Sequence, residues 1–403
     1  MVNISMTAKS RWSSFFHQHL EALKEQNLYR HLRTIESAQG SWVMLEGRQV
    51  LNLCSNNYLG LSSHPHLKEA AVQAAERWGC GSGASRLICG NFPLHELLER
   101  RLAIFKGTEA ALLYNCGYLA NTGIIPALLS RRDFVFSDAL NHASIIDGCR
   151  LSRATVQVFP HNDLEALEEK LRWTSCNRPA AQKLIVVDGV FSMDGDLAPL
   201  PEMVNLAEKY ESLLMVDEAH ATGVLGPGGR GVVSLFGLEK RIPVVMGTLS
   251  KALGCFGAFV AGSPEFVAFL VNTSRSFIYT TALPHELAAS ALAALDVLNA
   301  NPSLPLKVQE NASYLRRHLN QLGYNTLNSQ TQIIPVVIGD ASRTLEMSSL
   351  LLREGILVSA IRPPTVPEGT CRIRLTVMAT HTIEDLSLAV RAFEKAGRSL
   401  RVI

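Results

Sequence analysis

Three apolar runs, Lys183–Asp188, Leu213–Asp217 and 243–247, set the strongest limit on how this chain can fold. Each is nearly continuous in Val, Ile, Leu and Met, without polar alternation. A strand of that kind is buried on both faces, which calls for a parallel sheet covered by helices. Each run ends in polar residues: Asp188, then Asp217-Glu-Ala-His220, then Thr248-Leu-Ser-Lys251. Open α/β sheets bind ligands at those C-terminal strand ends.

Lys251 lies between an apolar strand and the small residues Ala252-Leu-Gly254. Burial disfavours an ammonium, so the pKa of such a lysine falls. A neutral amine is the form that makes Schiff bases with carbonyl compounds. Lys251 is therefore a candidate nucleophile, the alternative being a lysine that snorkels from a strand end. Asp217, directly after its strand, is expected to be poorly solvated and to need a cationic or donor partner, for which a bound cofactor would serve.

The rest of the chain repeats a βα pattern. Residues 11–27 are predicted as an amphipathic helix with Trp12, Phe15, Phe16, Leu20 and Leu23 on one face. A hairpin around Glu46-Gly47 leads into Cys54-Ser-Asn-Asn-Tyr-Leu-Gly60, where Asn56 either closes an Asx turn or points into a site. The strand 110–114 turns at Asn115-Cys-Gly-Tyr118 into a helix, and a strand–Gly–helix turn offers free N–H groups to a phosphate. His142 stands at a predicted helix start, as a cap, a surface residue or a catalytic group. Arg30 and Arg33 are either solvated surface charges or contacts for an anionic substrate. Arg362, held in a stiff segment before two prolines, suits bidentate carboxylate recognition unless it is simply a surface arginine. After Asn301-Pro302 the predicted order of helices and strands, including strands at 332–338, 356–359 and 371–377, is that of an α+β domain.

Composition removes several classes. The 403 residues suit two or three domains, and 47% apolar against 18% charged residues is enough for a large core. A net charge of +2 gives no overall field for nucleic acid or membrane. Eight dispersed cysteines without C-x-x-C spacing read as free thiols of a reducing cytoplasm, with no zinc site. The N-terminus lacks a signal-peptide pattern, and no apolar stretch reaches the roughly eighteen residues of a membrane span.

Eight stretches, in order, resemble the α-oxoamine synthases, a branch of the pyridoxal-phosphate (PLP) enzymes with the type I aspartate-aminotransferase fold. They are Ser55-Asn-Asn-Tyr-Leu-Gly60, Gly81-Ser-Gly-Ala-Ser-Arg86, Asn115-Cys-Gly-Tyr118, Asn141-His-Ala-Ser144, Val190-Phe-Ser-Met-Asp-Gly195, Val216-Asp-Glu-Ala-His220, Thr248-Leu-Ser-Lys251 and Arg362-Pro-Pro-Thr-Val-Pro367. The resemblance covers roughly residues 28–390. It implies a large domain with a mostly parallel seven-stranded sheet between helices (61–290), a smaller α+β C-terminal domain (291–403), and an N-terminal helix and hairpin segment (1–60). It implies that Lys251 carries PLP as a Schiff base, Asp217 pairs with the pyridinium nitrogen, and His220 and Ser192 hydrogen-bond near the ring hydroxyl. His142 stacks on the ring in this reading. Gly117, Tyr118 and Thr248 hold the phosphate, with Thr280 or Thr281 reaching the phosphate of a neighbouring subunit in a homodimer. Asn56 and Arg362, with Thr365 in the same motif, meet the amino-acid carboxylate.

The implied reaction is a decarboxylative condensation of an amino acid with an acyl thioester. The stretches 28–33, 278–284 and 361–369 look most like the family branch that joins L-alanine to a pimeloyl thioester, on coenzyme A or acyl carrier protein, in biotin synthesis. Arg30 or Arg33 would then meet the distal carboxylate of the pimeloyl chain. Glycine with acetyl-CoA, glycine with succinyl-CoA and serine with palmitoyl-CoA are the other pairings of the family. A catalytically silent partner subunit is the non-enzymatic alternative, and the presence of Lys251, Asp217, His142 and His220 together argues against it.

Overall fold

The computed structural model describes residues 8–403. Its centre is a seven-stranded sheet in the order Ala110–Tyr114, Ala258–Gly262, Val244–Thr248, Leu213–Asp217, Lys183–Asp188, Phe134–Asp138, Thr155–Phe159. Only Ala258–Gly262 runs antiparallel to its neighbours. The glycines after Lys251 turn the chain, as expected, and the apolar run that follows returns as this strand, so Lys251 sits in the connection between two neighbouring strands.

The five strands from Ala258–Gly262 to Phe134–Asp138 are buried at every position but Leu213, as their apolar sequence requires. The edge strand Thr155–Phe159 is largely exposed. Two apolar clusters cover the two sheet faces, and the larger continues under the C-terminal third through Leu315, Ile334, Leu375 and Phe393.

Two three-stranded sheets complete the structure. Trp42–Leu45 and Arg48–Asn52 form the expected hairpin, with Glu46 (φ 51°) and Gly47 (φ 69°) both left-handed at its tip, as a two-residue turn of matching twist demands. Ile356–Leu357 adds to it in parallel. The third sheet has the order Ile333–Gly339, Cys371–Thr376, Ser359–Ile361. The run read as one strand at 356–359 is thus two short strands, divided at Val358 between two sheets.

The helix Ala8–Glu25 presents Trp12, Phe15, Phe16 and Leu20 to solvent. No described helix is long and apolar enough to cross a membrane.

Candidate active site

Strand register brings the first acidic pair together. Asp188 and Asp217 are direct partners at the ends of adjacent parallel strands, and each is only 3% exposed. Asp217 accepts from the Asn121 side-chain amide at 2.8 Å and from Ala219 N–H at 2.8 Å. Among the described residues it forms no ion pair with a lysine, arginine or histidine. Asp188 accepts from His142 N–H at 2.6 Å, while its own N–H donates to Asn141 Oδ1 at 2.9 Å. Burial, reinforced by the charge of Asp217, pushes the Asp188 carboxyl well above the ordinary range.

The Lys251 amine is desolvated, and this lowers its pKa to about 8. Asp217 and Asp188 oppose the fall, and Arg374 adds to it. The site therefore supplies the neutral amine at a pH where an ordinary lysine stays charged.

His142 is the cap of helix Ala143–Ser152: its Nδ1 accepts from Ser144 N–H at 3.2 Å and lies 2.7 Å from Ser144 Oγ. Desolvation draws its pKa down, with Lys251 in the same sense and Asp217 opposing. Asn121 donates to both Ser144 Oγ (2.9 Å) and Asp217. One amide thereby ties Asp217 to the support of His142.

On the other side, His220 Nδ1 lies 2.7 Å from Tyr58 Oη, which also reaches Asn56 Oδ1 at 3.0 Å. Gln332 Nε2 donates to His220 O at 2.7 Å. Both terminal nitrogens of Arg374 reach Asn56 Oδ1 at 3.3 Å, and its Nε donates to Ser192 O at 2.5 Å. Arg374 is 6% exposed and, among the described residues, has no carboxylate partner. Its neighbour Arg372 does, in Asp194 at 2.6 Å. Ser192 is buried on the same loop.

A second pair of cationic groups is Arg362 and Arg30. Arg362 is buried and donates to Asn27 O, and its Nε has no hydrogen-bond partner. Arg30, exposed, donates to Pro363 O at 3.2 Å and Leu28 O at 3.3 Å. Desolvation, then the Arg30 charge, depresses the Arg362 pKa. Thr365 is exposed, and its N–H closes the turn onto Arg362 O at 3.1 Å. Arg33 is exposed and close enough for its charge to act on Cys54. Asn56, expected to meet the amino-acid carboxylate together with Arg362, hydrogen-bonds Arg374.

The turn Asn115–Tyr118 opens helix Gly117–Leu128, and no side chain caps that helix. Thr248 Oγ1 donates to Gly257 O at 2.9 Å, and Ser250 Oγ reaches the same carbonyl at 3.1 Å. Within this chain Thr280 and Thr281 lie against Asn115, whose amide reaches Thr280 Oγ1 at 3.2 Å and Thr281 O at 2.8 Å.

These residues fit pyridoxal phosphate. A desolvated amine suits its aldehyde, a buried carboxylate without a cation suits its ring N–H, and an uncapped helix start suits its phosphate. Arg374 and Asn121 are not among the residues the sequence singles out. Asn121 sits one helical turn past Gly117, which is a periodicity signal. Arg374 leaves none, because its partners lie near residues 56 and 192.

Comparison with known proteins agrees. The model of the family Aminotransferase class I and II matches residues 48–393. An 8-amino-7-oxononanoate synthase of Geobacter sulfurreducens is 55% identical over 95% of this chain and 98% of its own. The solved serine palmitoyltransferase of S. paucimobilis, with a bound PLP adduct, superposes with a TM-score of 0.92 at 32% identity, covering 99% of this chain and all of that one. The 8-amino-7-oxononanoate synthase of Francisella tularensis superposes with a TM-score of 0.76 at 27% identity, covering 88% and 99%. The chain belongs to the class I and II aminotransferase family of pyridoxal-phosphate enzymes, in its α-oxoamine synthase branch.

Proposed function

We propose that this enzyme condenses L-alanine with a pimeloyl thioester, releasing carbon dioxide and the free thiol and giving 8-amino-7-oxononanoate for biotin synthesis. The observation that carries the reading is the 55% identity, over nearly both whole lengths, with a protein of that name.

The residues divide the work as follows. Lys251 would hold the cofactor and, once its amine is free and neutral, would take the α-proton. When bound, pyridoxal phosphate supplies the sink for the electron pair that proton leaves behind. Asp217 would keep the ring nitrogen protonated, and Asn121 aims its carboxylate. His142 would lie against the ring, His220 and Ser192 would hold the ring hydroxyl, and Gly117, Tyr118 and Thr248 would seat the phosphate. The two-pronged guanidinium of Arg374, which shares one amide oxygen at 3.3 Å, is shaped for the alanine carboxylate, with Asn56 beside it. The new carbon–carbon bond forms as the carbon–sulfur bond breaks and the thiolate takes a proton; the alanine carboxylate then leaves as carbon dioxide, and the α-carbon takes up a proton in its place.

Arg30 and Arg362 form the seat for the distal carboxylate of the pimeloyl chain. Serine palmitoyltransferase is the second reading, favoured by the TM-score of 0.92. A palmitoyl chain has no charge for these two guanidiniums, which is why alanine and pimeloyl are preferred. Each site is further proposed to be completed in a homodimer, with Thr280 or Thr281 at the partner's phosphate.

The test is thiol release by the PLP-loaded enzyme with alanine, glycine or serine, each with pimeloyl-CoA, acetyl-CoA or palmitoyl-CoA, and with pimeloyl on acyl carrier protein. Turnover should be fastest with alanine and a pimeloyl thioester. A preference for serine with palmitoyl-CoA, or for glycine with acetyl-CoA, overturns the assignment.

A further inference from the structure

Tyr58 is fully buried and stands between two groups with different tasks. Its hydroxyl is 2.7 Å from His220 Nδ1 and 3.0 Å from Asn56 Oδ1, and Asn56 Oδ1 in turn takes both prongs of Arg374 at 3.3 Å. A phenol has one hydrogen to give. It goes to Asn56 or to His220, never to both. The backbone offers the ring no freedom to escape this choice: Tyr58 N–H donates to Asn56 O, and Tyr58 O accepts from Ala379 N–H, both at 2.8 Å.

With the Arg374 prongs at Asn56 Oδ1, that oxygen has three donors within reach, Tyr58 among them, so giving the Tyr58 hydrogen to His220 Nδ1 leaves it supplied. A carboxylate is the stronger acceptor for a guanidinium and draws the prongs away. Asn56 Oδ1 is then left with Tyr58 as its donor, and leaving a buried carbonyl unsupplied is costly. The hydroxyl turns its hydrogen to Asn56 and its lone pair to His220.

We propose that Tyr58 is a positioning residue that relays occupancy of the Arg374 prongs to the His220 imidazole. This rests on the roles of Arg374 and His220 in the proposed reaction. The groups facing His220 are Lys251, Arg374 and His142, all able to carry positive charge, together with Tyr58. With desolvation as the main cause, they hold the imidazole neutral. A lone pair from Tyr58 works against them and raises the proton affinity of His220, so the cofactor beside it experiences substrate arrival before any bond changes.

The experiment uses propionate, a carboxylate without an amine, on the PLP-loaded enzyme. The His220 imidazole is titrated with pH by NMR, with and without propionate, while calorimetry reports propionate binding. In the wild type, propionate should move the titration midpoint upward by about one unit, a roughly tenfold change in proton affinity. In Tyr58→Phe, propionate should bind within about threefold of the wild type, and the shift should shrink to less than about a third, the direct Coulomb part being all that survives. Asn56→Ser, which removes the shared carbonyl but keeps Tyr58, should lose the shift likewise and serves if Tyr58→Phe does not fold. A full shift in Tyr58→Phe, or no shift in a wild type that binds propionate, overturns the relay. Propionate heat that is absent from the wild type, or unchanged in Arg374→Lys, overturns instead the placing of the carboxylate at Arg374.

Discussion

The ammonium of Lys106 meets the carboxylate of Glu218 with the two side chains 2% and 0% exposed. Lys106 also reaches Thr222 Oγ1 at 3.2 Å, and Glu218 Oε1 accepts from Val233 N–H at 2.6 Å. Gly231 (φ 119°) packs so closely on Glu218 that any side chain there would collide with the carboxylate. The pair anchors the turn that carries Asp217 and His220. Lys106→Met, which strands a buried carboxylate, should cost about 3–5 kcal/mol in urea unfolding. Lys106→Met with Glu218→Gln removes both charges and should recover more than half of that loss. Equal stability of the single and double variants would refute the pairing.

Lys251 should betray its lowered pKa when the apoenzyme captures pyridoxal phosphate. The neutral amine is the reactive form, so the stopped-flow rate should rise about tenfold per pH unit up to roughly pH 8 and then level off. An ordinary lysine would keep climbing past about pH 10. Asp217 and Asp188 hold the proton on, so Asp217→Asn should move the plateau to lower pH. A plateau moved to higher pH would contradict the attraction between Asp217 and the Lys251 ammonium.

The two cationic seats should separate kinetically. Arg374→Lys loses the two-pronged match and should raise KM for alanine by about 10- to 100-fold, the worth of a charge-assisted pair, with little change in KM for pimeloyl-CoA. Arg30→Ala should do the reverse, by about 3- to 10-fold, because an exposed charge is screened. Initial rates over both substrates decide; an alanine KM untouched by Arg374→Lys removes it from the carboxylate seat.

Stability should peak near about pH 6.5, the unfolded-state value of histidine. His161 is partly desolvated, but hydrogen bonds to Asp138 and Asp196 push its pKa up to about 10. A raised value stabilises fully below the unfolded pKa and is lost as pH climbs from about 6.5 to 10. His95 and His381 are desolvated down to about 4. Their share is complete above about pH 6.5 and falls away in acid, where the unfolded chain takes up the protons. Melting temperature against pH should be a dome, and His161→Gln should lower its acid and neutral part and approach the wild type near about pH 10, which flattens the alkaline limb.

How much of the fold and site is legible depends on how far each signal reaches along the chain. Lys251, Asp217 and Asp188 announce themselves locally, since an unbroken apolar run must be buried and its first polar residue must lie at the sheet's end. His142, read as a cap, a surface residue or a catalytic group, is indeed a cap, with Asp188 and Asn121 adding partners that no spacing betrays. Arg372 and Arg374 alternate with Ile373 and Leu375 in a pattern that normally sends charges to water. Both are nevertheless buried, because the loop at Ser192–Asp194, far earlier in the chain, folds over that face. The 356–359 run reads as one strand because Ile356, Leu357 and Val358 all suit one, and only the sheets on either side reveal the break.

That break has a larger meaning. Leu53 N–H bonds Leu357 O, and Ser359 lies opposite Arg374, so the strands leading to Asn56, Arg362 and Arg374 are laced through the one short stretch 356–361. Lys251, Asp188, Asp217 and His142 all follow strands of the seven-stranded sheet. The groups that would choose the substrates and the groups that would perform the chemistry thus occupy different weaves of one fabric. Selection can retailor the first, trading one amino acid or acyl chain for another, without cutting a thread of the second.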